Sequence, residues 1–452
     1  MNRFLRAIKS HIQKKPELSF YFVLVFFISA DGLIVPIGRA FTVPQVAIIL
    51  FALFYLLKLI NTAKKPKNHY LLAPRKQFTV LVFWFLFLVI SVLLMPDNPL
   101  YHRYGLGLLQ SYGVVSYMYL FWILLNLFLL FIVFSINRDE SNFIITLKLT
   151  IISSFVFSVY GIYQYFMAEM LGESASSIVY SYNDWYLYYD YIVRLLSFSR
   201  EPLYFANYIS CILIINLTIL ITGYYKKISL SKNLLLVITL SNVVAFYLTK
   251  STGGFISFVV ASFIVMAIVF KDKWKSYSKV KLASYSVIFM GIIGAFFLSF
   301  QRQITRRLDR LIDPESGYTR VVSIIEGVEM TSIYPWFGFG LGNSNFFISV
   351  TQIHNAYLNM LAETGIFTFI LFIVFLFFLN KNIYLSYKIS NQHRPLVIAL
   401  FGGLIVILVQ WLSFFAYMIL FAWFIFGLIL ALPHVIRKLE FNEIAQSLAK
   451  SK

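Results

Sequence analysis

Apolar runs of about twenty residues, separated by short polar stretches, recur from one end of the chain to the other. A hydrocarbon core about 30 Å thick needs about 20 apolar residues in a helix that rises about 1.5 Å per residue. The pattern therefore predicts spans at 18–37, 43–60, 78–95, 114–136, 149–168, 203–223, 233–249, 254–270, 282–300, 355–380, 395–412 and 415–432. The expected fold class is all-α, a polytopic membrane protein of about twelve transmembrane helices, with a long and partly helical periplasmic loop, 301–354, between helices 9 and 10. At Arg39, Thr252 and Ser413 the turns are short enough for a hairpin to be mistaken for one long buried helix. No internal repeat or low-complexity linker interrupts the pattern, so 1–452 reads as a single transmembrane domain.

Three segments between spans on the outer side are long enough to build a site. Residues 96–113 carry Asp97, His102 and Arg103, and 169–202, rich in Tyr and acids, end in Arg194 and Arg200. In the third, 302–312 read as a basic helix, and 318–332 set Val321, Val322, Ile325 and Val328 on one face with Glu326 and Glu329 opposite. That spacing suits a helix lying along a membrane surface.

Composition excludes a large soluble domain: 60% of the 452 residues are apolar, 19% aromatic and only 13% charged. A net charge of +19 would suggest nucleic acid in a soluble chain, but the charges sit mainly in short loops. With the N-terminus inside, the cytoplasmic side receives 28 of the 38 basic residues and 6 of the 19 acids. The positive charge is thus a topology signal, and no nucleic-acid partner is implied. Arg3, Arg6, Lys9, Lys14 and Lys15 precede the first run with no small-residue cleavage site behind it, so the first helix reads as retained and both termini as cytoplasmic.

Basic residue type divides as well. Of the 28 inside, 22 are Lys; of the ten outside, all but Lys250 are Arg, namely Arg39, Arg103, Arg194, Arg200, Arg302, Arg306, Arg307, Arg310 and Arg320. Lys suffices to hold a loop in the cytoplasm, whereas a guanidinium offers a planar fork matched to phosphate or carboxylate. The outer face is therefore expected to hold an anion; for any single arginine, pairing with an outer acid or snorkelling from a helix end is an equally good reading.

Of six histidines, topology leaves only His102 and His354 outside. His354 stands where the long loop enters the tenth span, and an imidazole there has the right intrinsic pKa for a general base. Taken alone, such a histidine more often serves as an interfacial hydrogen-bonding group. The single Cys211 excludes an internal disulfide, and no His or carboxylate spacing suggests a zinc, calcium or magnesium site, so neither metal nor cofactor is expected. Gly338, Gly340 and Gly342 lack the preceding strand of a phosphate loop and read as a tight turn.

The run His354, Asn355, nine residues, Gly365, two residues, Thr368 resembles a signature of the O-antigen ligase and O-antigen polymerase superfamily, with a segment like Pro335–Asn343 before it. Arg200, Glu201, Pro202 and Tyr204 to Asn207, the hairpin Ser251 to Gly254, and Arg320 are also similar to that family. The resemblance implies a glycosyltransferase at the outer face of the bacterial inner membrane that uses a glycan on undecaprenyl pyrophosphate without metal. It implies that Arg200 and Arg320 grip the pyrophosphate and that His354 activates the acceptor hydroxyl. Arg306, Arg307, Arg310, Asn355 and Glu201 become candidate anion or acceptor contacts. The implied partners are the lipid-linked glycan, a saccharide acceptor on a lipid, membrane lipids and a chain-length regulator protein. The Arg-Glu-Pro stretch and Ser-Thr-Gly-Gly hairpin resemble the polymerase branch more than the ligase branch, whose acceptor is the lipid A core. A flippase or transporter is the competing class, but its ionisable groups belong near the midplane, and here the spans are nearly free of central charge, with the acids Asp31 and Glu363 near helix ends.

Overall fold

A computed structural model describes residues 17–33, 42–62, 75–97, 111–171, 193–273, 317–349, 352–414 and 417–450, together with Gly291 and Gly294. Among them the chain is helical, with α1 Glu17–Phe26, α2 Val43–Thr62, α3 Arg75–Leu93, α4 Val114–Asn137, α5 Glu140–Leu171 and α6 Pro202–Thr222. There follow α7 Lys232–Leu248, α8 Thr252–Lys273, α9 Gly317–Ile333, α10 Ala356–Ile389, α11 Arg394–Gln410 and α12 Leu420–Lys450. Seven described helices (α3 to α6, α8, α10 and α12) are long and apolar enough to cross a membrane, and Val43–Phe54, α7 and α11 are shorter apolar helices.

Which residues face outward settles the solvent for which this surface is built. On α7, Leu234, Val237, Leu240 and Val244 are exposed, while Leu235, Ile238, Asn242, Ala245 and Phe246 are buried. The exposed set repeats at helical spacing, as a polar stripe would in water. Here the stripe is as apolar as the core, and α3 repeats the arrangement with Val82, Phe83 and Leu86 outward. A stripe of this kind is stable only against lipid. The chain is a multi-pass membrane protein.

Two packing devices hold the bundle. α11 lies against both α6 and α8. A Cβ on Gly402 would come within 2.8 Å of Val265 and 3.0 Å of Ile214, and one on Gly403 within 2.8 Å of the Cys211 sulfur. Glycine thus permits a backbone approach that any side chain would prevent, the usual means of tight helix contact in lipid. Elsewhere α12 packs on α4 and α10, and α10 on α3, through a nest of rings. Trp84, Phe372, Phe375 and Trp423 meet there, with Trp84 and Trp423 centroids 5.6 Å apart. Several polar side chains inside the bundle link its helices: the Asn242 amide hydrogen-bonds Ser154 and Ser158 at 3.0 and 2.9 Å, and the Asn126 amide donates to the Met418 carbonyl at 2.9 Å.

The helices depart from the apolar runs mainly at their ends. The first apolar run, expected to span 18–37, is helical only to Phe26 and then turns through residues 27–33. The turn is docked elsewhere: Gly32 N donates to the Phe198 carbonyl at 2.7 Å, and a Cβ on Gly32 would sit 2.7 Å from that oxygen. α5 starts at Glu140 rather than 149, α10 continues to Ile389, and α12 starts at Leu420 and runs past the apolar stretch to Lys450. The hairpins at Thr252 and Ser413 are real breaks between α7 and α8 and between α11 and α12. The surface helix expected over 318–332 is α9. The ninth span, 282–300, and the basic helix, 302–312, lie outside the described residues except for Gly291 and Gly294, both helical.

Candidate functional site

His354, the turn after α11, the start of α6 and the turn after α1 gather at one end of the bundle, and the packing of α10 explains why. Asn355 caps α10, its side-chain oxygen accepting from Leu358 N at 3.0 Å, which satisfies one of the helix's orphan donors. The Asn355 amide also donates to the Leu412 carbonyl at 3.1 Å, and Ala356 N donates to the Trp411 carbonyl at 2.9 Å. From the same turn Gln410 donates to the Leu203 carbonyl at 3.2 Å, and Phe414 meets the Tyr204 ring edge-on, centroids 4.9 Å apart. The turn after α11 thus carries both His354 and the Arg200–Glu201–Pro202 segment that begins α6. Pro202 stands at the first helical turn, where a missing N–H costs nothing.

Arg200 and Arg320 reach this end from different elements. Arg200 donates from Nε to the Asp31 carbonyl at 3.0 Å, and Ser199 donates to the Ser29 carbonyl at 3.1 Å. The displaced turn after α1 is therefore what orients the Arg200 guanidinium. Arg320 stands exposed in the first turn of α9. Its carbonyl accepts from Ser323 Oγ at 2.8 Å, and that same oxygen accepts from His354 N at 3.5 Å, so one serine ties Arg320's turn to His354. Gly327 lets α9 close on this loop, since a Cβ there would meet the Ile353 side chain at 3.0 Å.

His354 is half-buried, and its pKa falls to about 4, first through burial and then through the Arg320 charge. Both effects favour the neutral imidazole, so its lone pair is present throughout the physiological range. Arg320→Gln is expected to move the His354 pKa up, toward but short of its ordinary value, because burial remains. Histidine-selective NMR of the protein in nanodiscs, with His354→Gln identifying the signal, would check this. An unmoved titration would mean that Arg320 does not act on the ring.

The Pro335–Asn343 segment is a tight turn, as its composition suggests: Gly338, Gly340 and Gly342 take φ of 70°, 99° and 75°. Its role, however, was not legible. Gly365 breaks α10 with φ 78° and ψ 175°, and the turn inserts into the opened ladder. Ile366 N donates to the Pro335 carbonyl at 2.9 Å in place of its helical partner Ala362, whose carbonyl accepts instead from Phe339 N at 3.2 Å. The Glu363 carbonyl accepts from Gly340 N at 3.0 Å and from Ser91 Oγ at 3.1 Å. Its buried carboxylate accepts from Ser344 N at 3.4 Å and from the Tyr417 hydroxyl at 3.2 Å. Glu363 and Tyr417 were not candidates in the sequence; an acid inside an apolar span was the signal that marked the first.

Lys250, the one lysine expected on the outer side, is occupied structurally. It donates to the Val193 carbonyl at 2.9 Å and the Tyr165 hydroxyl at 3.2 Å, and burial draws its pKa down, with Glu169 opposing. Arg194 likewise donates to the Thr249 carbonyl at 3.1 Å. These bonds close the α7–α8 hairpin over the segment before Arg200. Arg306, Arg307 and Arg310 lie outside the described residues, as do His102, Arg103 and Arg302. The structure therefore brings together Arg320, His354 and Asn355, and sets Arg200 and Glu201 at the same end across the 410–414 turn. Among the described residues, a cluster of one His and two Glu with metal-ligand spacing lies at the opposite end of the bundle, on His393.

Residues 234–373, running from α7 into α10 and including Arg320, the Pro335–Asn343 turn and His354, match the family model described as O-antigen ligase. The match places that segment in the O-antigen ligase and polymerase superfamily. No curated protein matches the chain significantly in sequence.

Proposed function

From the membership of residues 234–373 in the O-antigen ligase superfamily, we propose that the chain polymerises glycan repeats carried on undecaprenyl pyrophosphate. It does so at the outer face of the bacterial inner membrane, with both termini cytoplasmic and the His354 end periplasmic. The observation that carries this reading is the tie of His354 to Arg320 through Ser323, within the matched segment. The His354 imidazole feels the Arg320 charge, at the end of an apolar bundle where a lipid-borne substrate can present its head group.

The chemistry follows from what such a donor needs. The acceptor sugar hydroxyl attacks the anomeric carbon, its proton passes to the His354 imidazole, and the carbon–oxygen bond to pyrophosphate breaks with its electron pair on the phosphate. Pyrophosphate is a good leaving group once its charge is held, which falls to Arg320 and Arg200 as fixed donors. Bound pyrophosphate also offsets the Arg320 charge, which raises the basicity of His354 when substrate is present. Asn355, Glu201 and the loop arginines Arg306, Arg307 and Arg310 are proposed to meet acceptor or anion. No metal is assigned a part.

A ligase is the second reading, favoured by the description of the matched family itself. The two differ in the glycan left behind when the gene is deleted. A polymerase deletion is expected to leave surface glycan capped at one repeat unit; intact polymer held on its lipid carrier would establish the ligase and overturn the polymerase. A wild-type glycan profile would overturn both.

A further inference from the structure

At the opposite, lysine-rich end of the bundle, His393 closes the turn between α10 and α11, and α12 passes it beyond its apolar stretch. His393 is 1% exposed, and its Nδ1 lies 2.8 Å from the Tyr224 hydroxyl, which fixes the ring. Nε2 then points toward α12, 3.4 Å from Glu443 Oε1 but without a hydrogen bond. Glu443 Oε2 and Glu440 Oε2 are also buried and have no hydrogen-bond partner. One ligand atom from each of His393, Glu440 and Glu443 lies within 4.8 Å of the others. Buried polar atoms are nearly always paired, and three neighbouring residues that each keep a buried polar atom without a hydrogen bond call for a shared partner.

We propose that His393, Glu440 and Glu443 bind a divalent first-row transition ion, zinc by preference, which clamps the C-terminal extension of α12 to the α10–α11 turn. One imidazole nitrogen and two carboxylate oxygens are donors that zinc accepts, with a fourth position left for water. Glu440 and Glu443 stand three residues apart on α12 and so share a face. Tyr224 holds the other ring nitrogen, the arrangement that orients ligating histidines.

A cation already contests the site. Lys227 hydrogen-bonds Glu443, and also Gln392 Oε1 at 2.5 Å, so metal entry draws Glu443 away from the ammonium. The donors come from far-apart segments of the chain, which is why no short spacing motif reveals them.

The test uses tag-free full-length protein in detergent micelles, stripped with chelator and titrated with zinc alone against a competing indicator. Wild type is expected to take up zinc saturably with one ion per chain and to melt at a higher temperature when loaded. His393→Gln and Glu440→Gln are each expected to weaken binding by about tenfold or more, and Lys227→Met to tighten it. No saturable uptake by wild type, or equal uptake by both ligand variants, would overturn the proposal. Should His393→Gln fail to fold, Glu440→Gln, on the helical extension outside the apolar stretch, decides alone.

Discussion

Replacing His354 with Gln is expected to lower glycan polymerisation by about 10²-fold or more while leaving insertion and abundance unchanged, since a lost general base typically costs that much. Gln keeps a polar side chain of similar reach but cannot take up the proton. The backbone tie to Ser323 and the Asn355 cap are untouched, so α10 should start where it does now. Arg320→Gln should cost about 10²- to 10³-fold, the usual penalty for removing one fixed donor to developing charge. The two losses should not add, because the charge that Arg320 holds and the proton that His354 takes belong to one step. Electrophoretic glycan profiles from a deletion strain complemented with each variant, normalised to membrane protein, measure this. Wild-type chain length in His354→Gln would remove the imidazole from the mechanism.

The sequence announced the membrane and most of the helices, because hydropathy reads the segment that lies in hydrocarbon. For α7, expected at 233–249 and found at Lys232–Leu248, helix and apolar run coincide. They part company where the helix continues into water or the apolar run is bent. α12 runs on through Arg437, Lys438, Glu440 and Glu443, good helix formers that hydropathy counts as loop. After Phe26 the run is still apolar, yet the chain turns so that Gly32 and Ser29 meet residues 198 and 199, a contact between distant segments that no local pattern encodes. The candidate site divides the same way. Arginine enrichment and the signature around His354 were readable as residue types. The serine that links His354 to Arg320, the backbone carbonyl of Asp31 that orients Arg200, and the His393 cluster depend on tertiary proximity and were not.

The Gly365 break in α10 gives the other large expected effect, on folding rather than on chemistry. With φ at 78° and ψ at 175°, Gly365 lies where essentially only glycine is comfortable, and a Cβ there would come within 2.1 Å of the Trp336 carbonyl oxygen. Gly365→Ala must therefore either hold a strained backbone, at about 1–3 kcal/mol, or return α10 to regular helix. The second course restores the Ile366 and Ala362 pairing but expels the Pro335–Gly340 turn, stranding Phe339 N and Gly340 N beside a buried Glu363, at about 1–3 kcal/mol for each unpaired group. The first course also leaves the Cβ against the Trp336 carbonyl oxygen, so either way the loss is large, and it falls on the turn that joins α9 to His354. Gly223 supplies the control: its φ is 72°, but a Cβ there meets nothing within 4 Å, so Gly223→Ala should cost only about 1 kcal/mol. Thermal unfolding in detergent should show a large drop in melting temperature for Gly365→Ala and a small one for Gly223→Ala. Equal, small drops would mean that the turn does not depend on the break in α10.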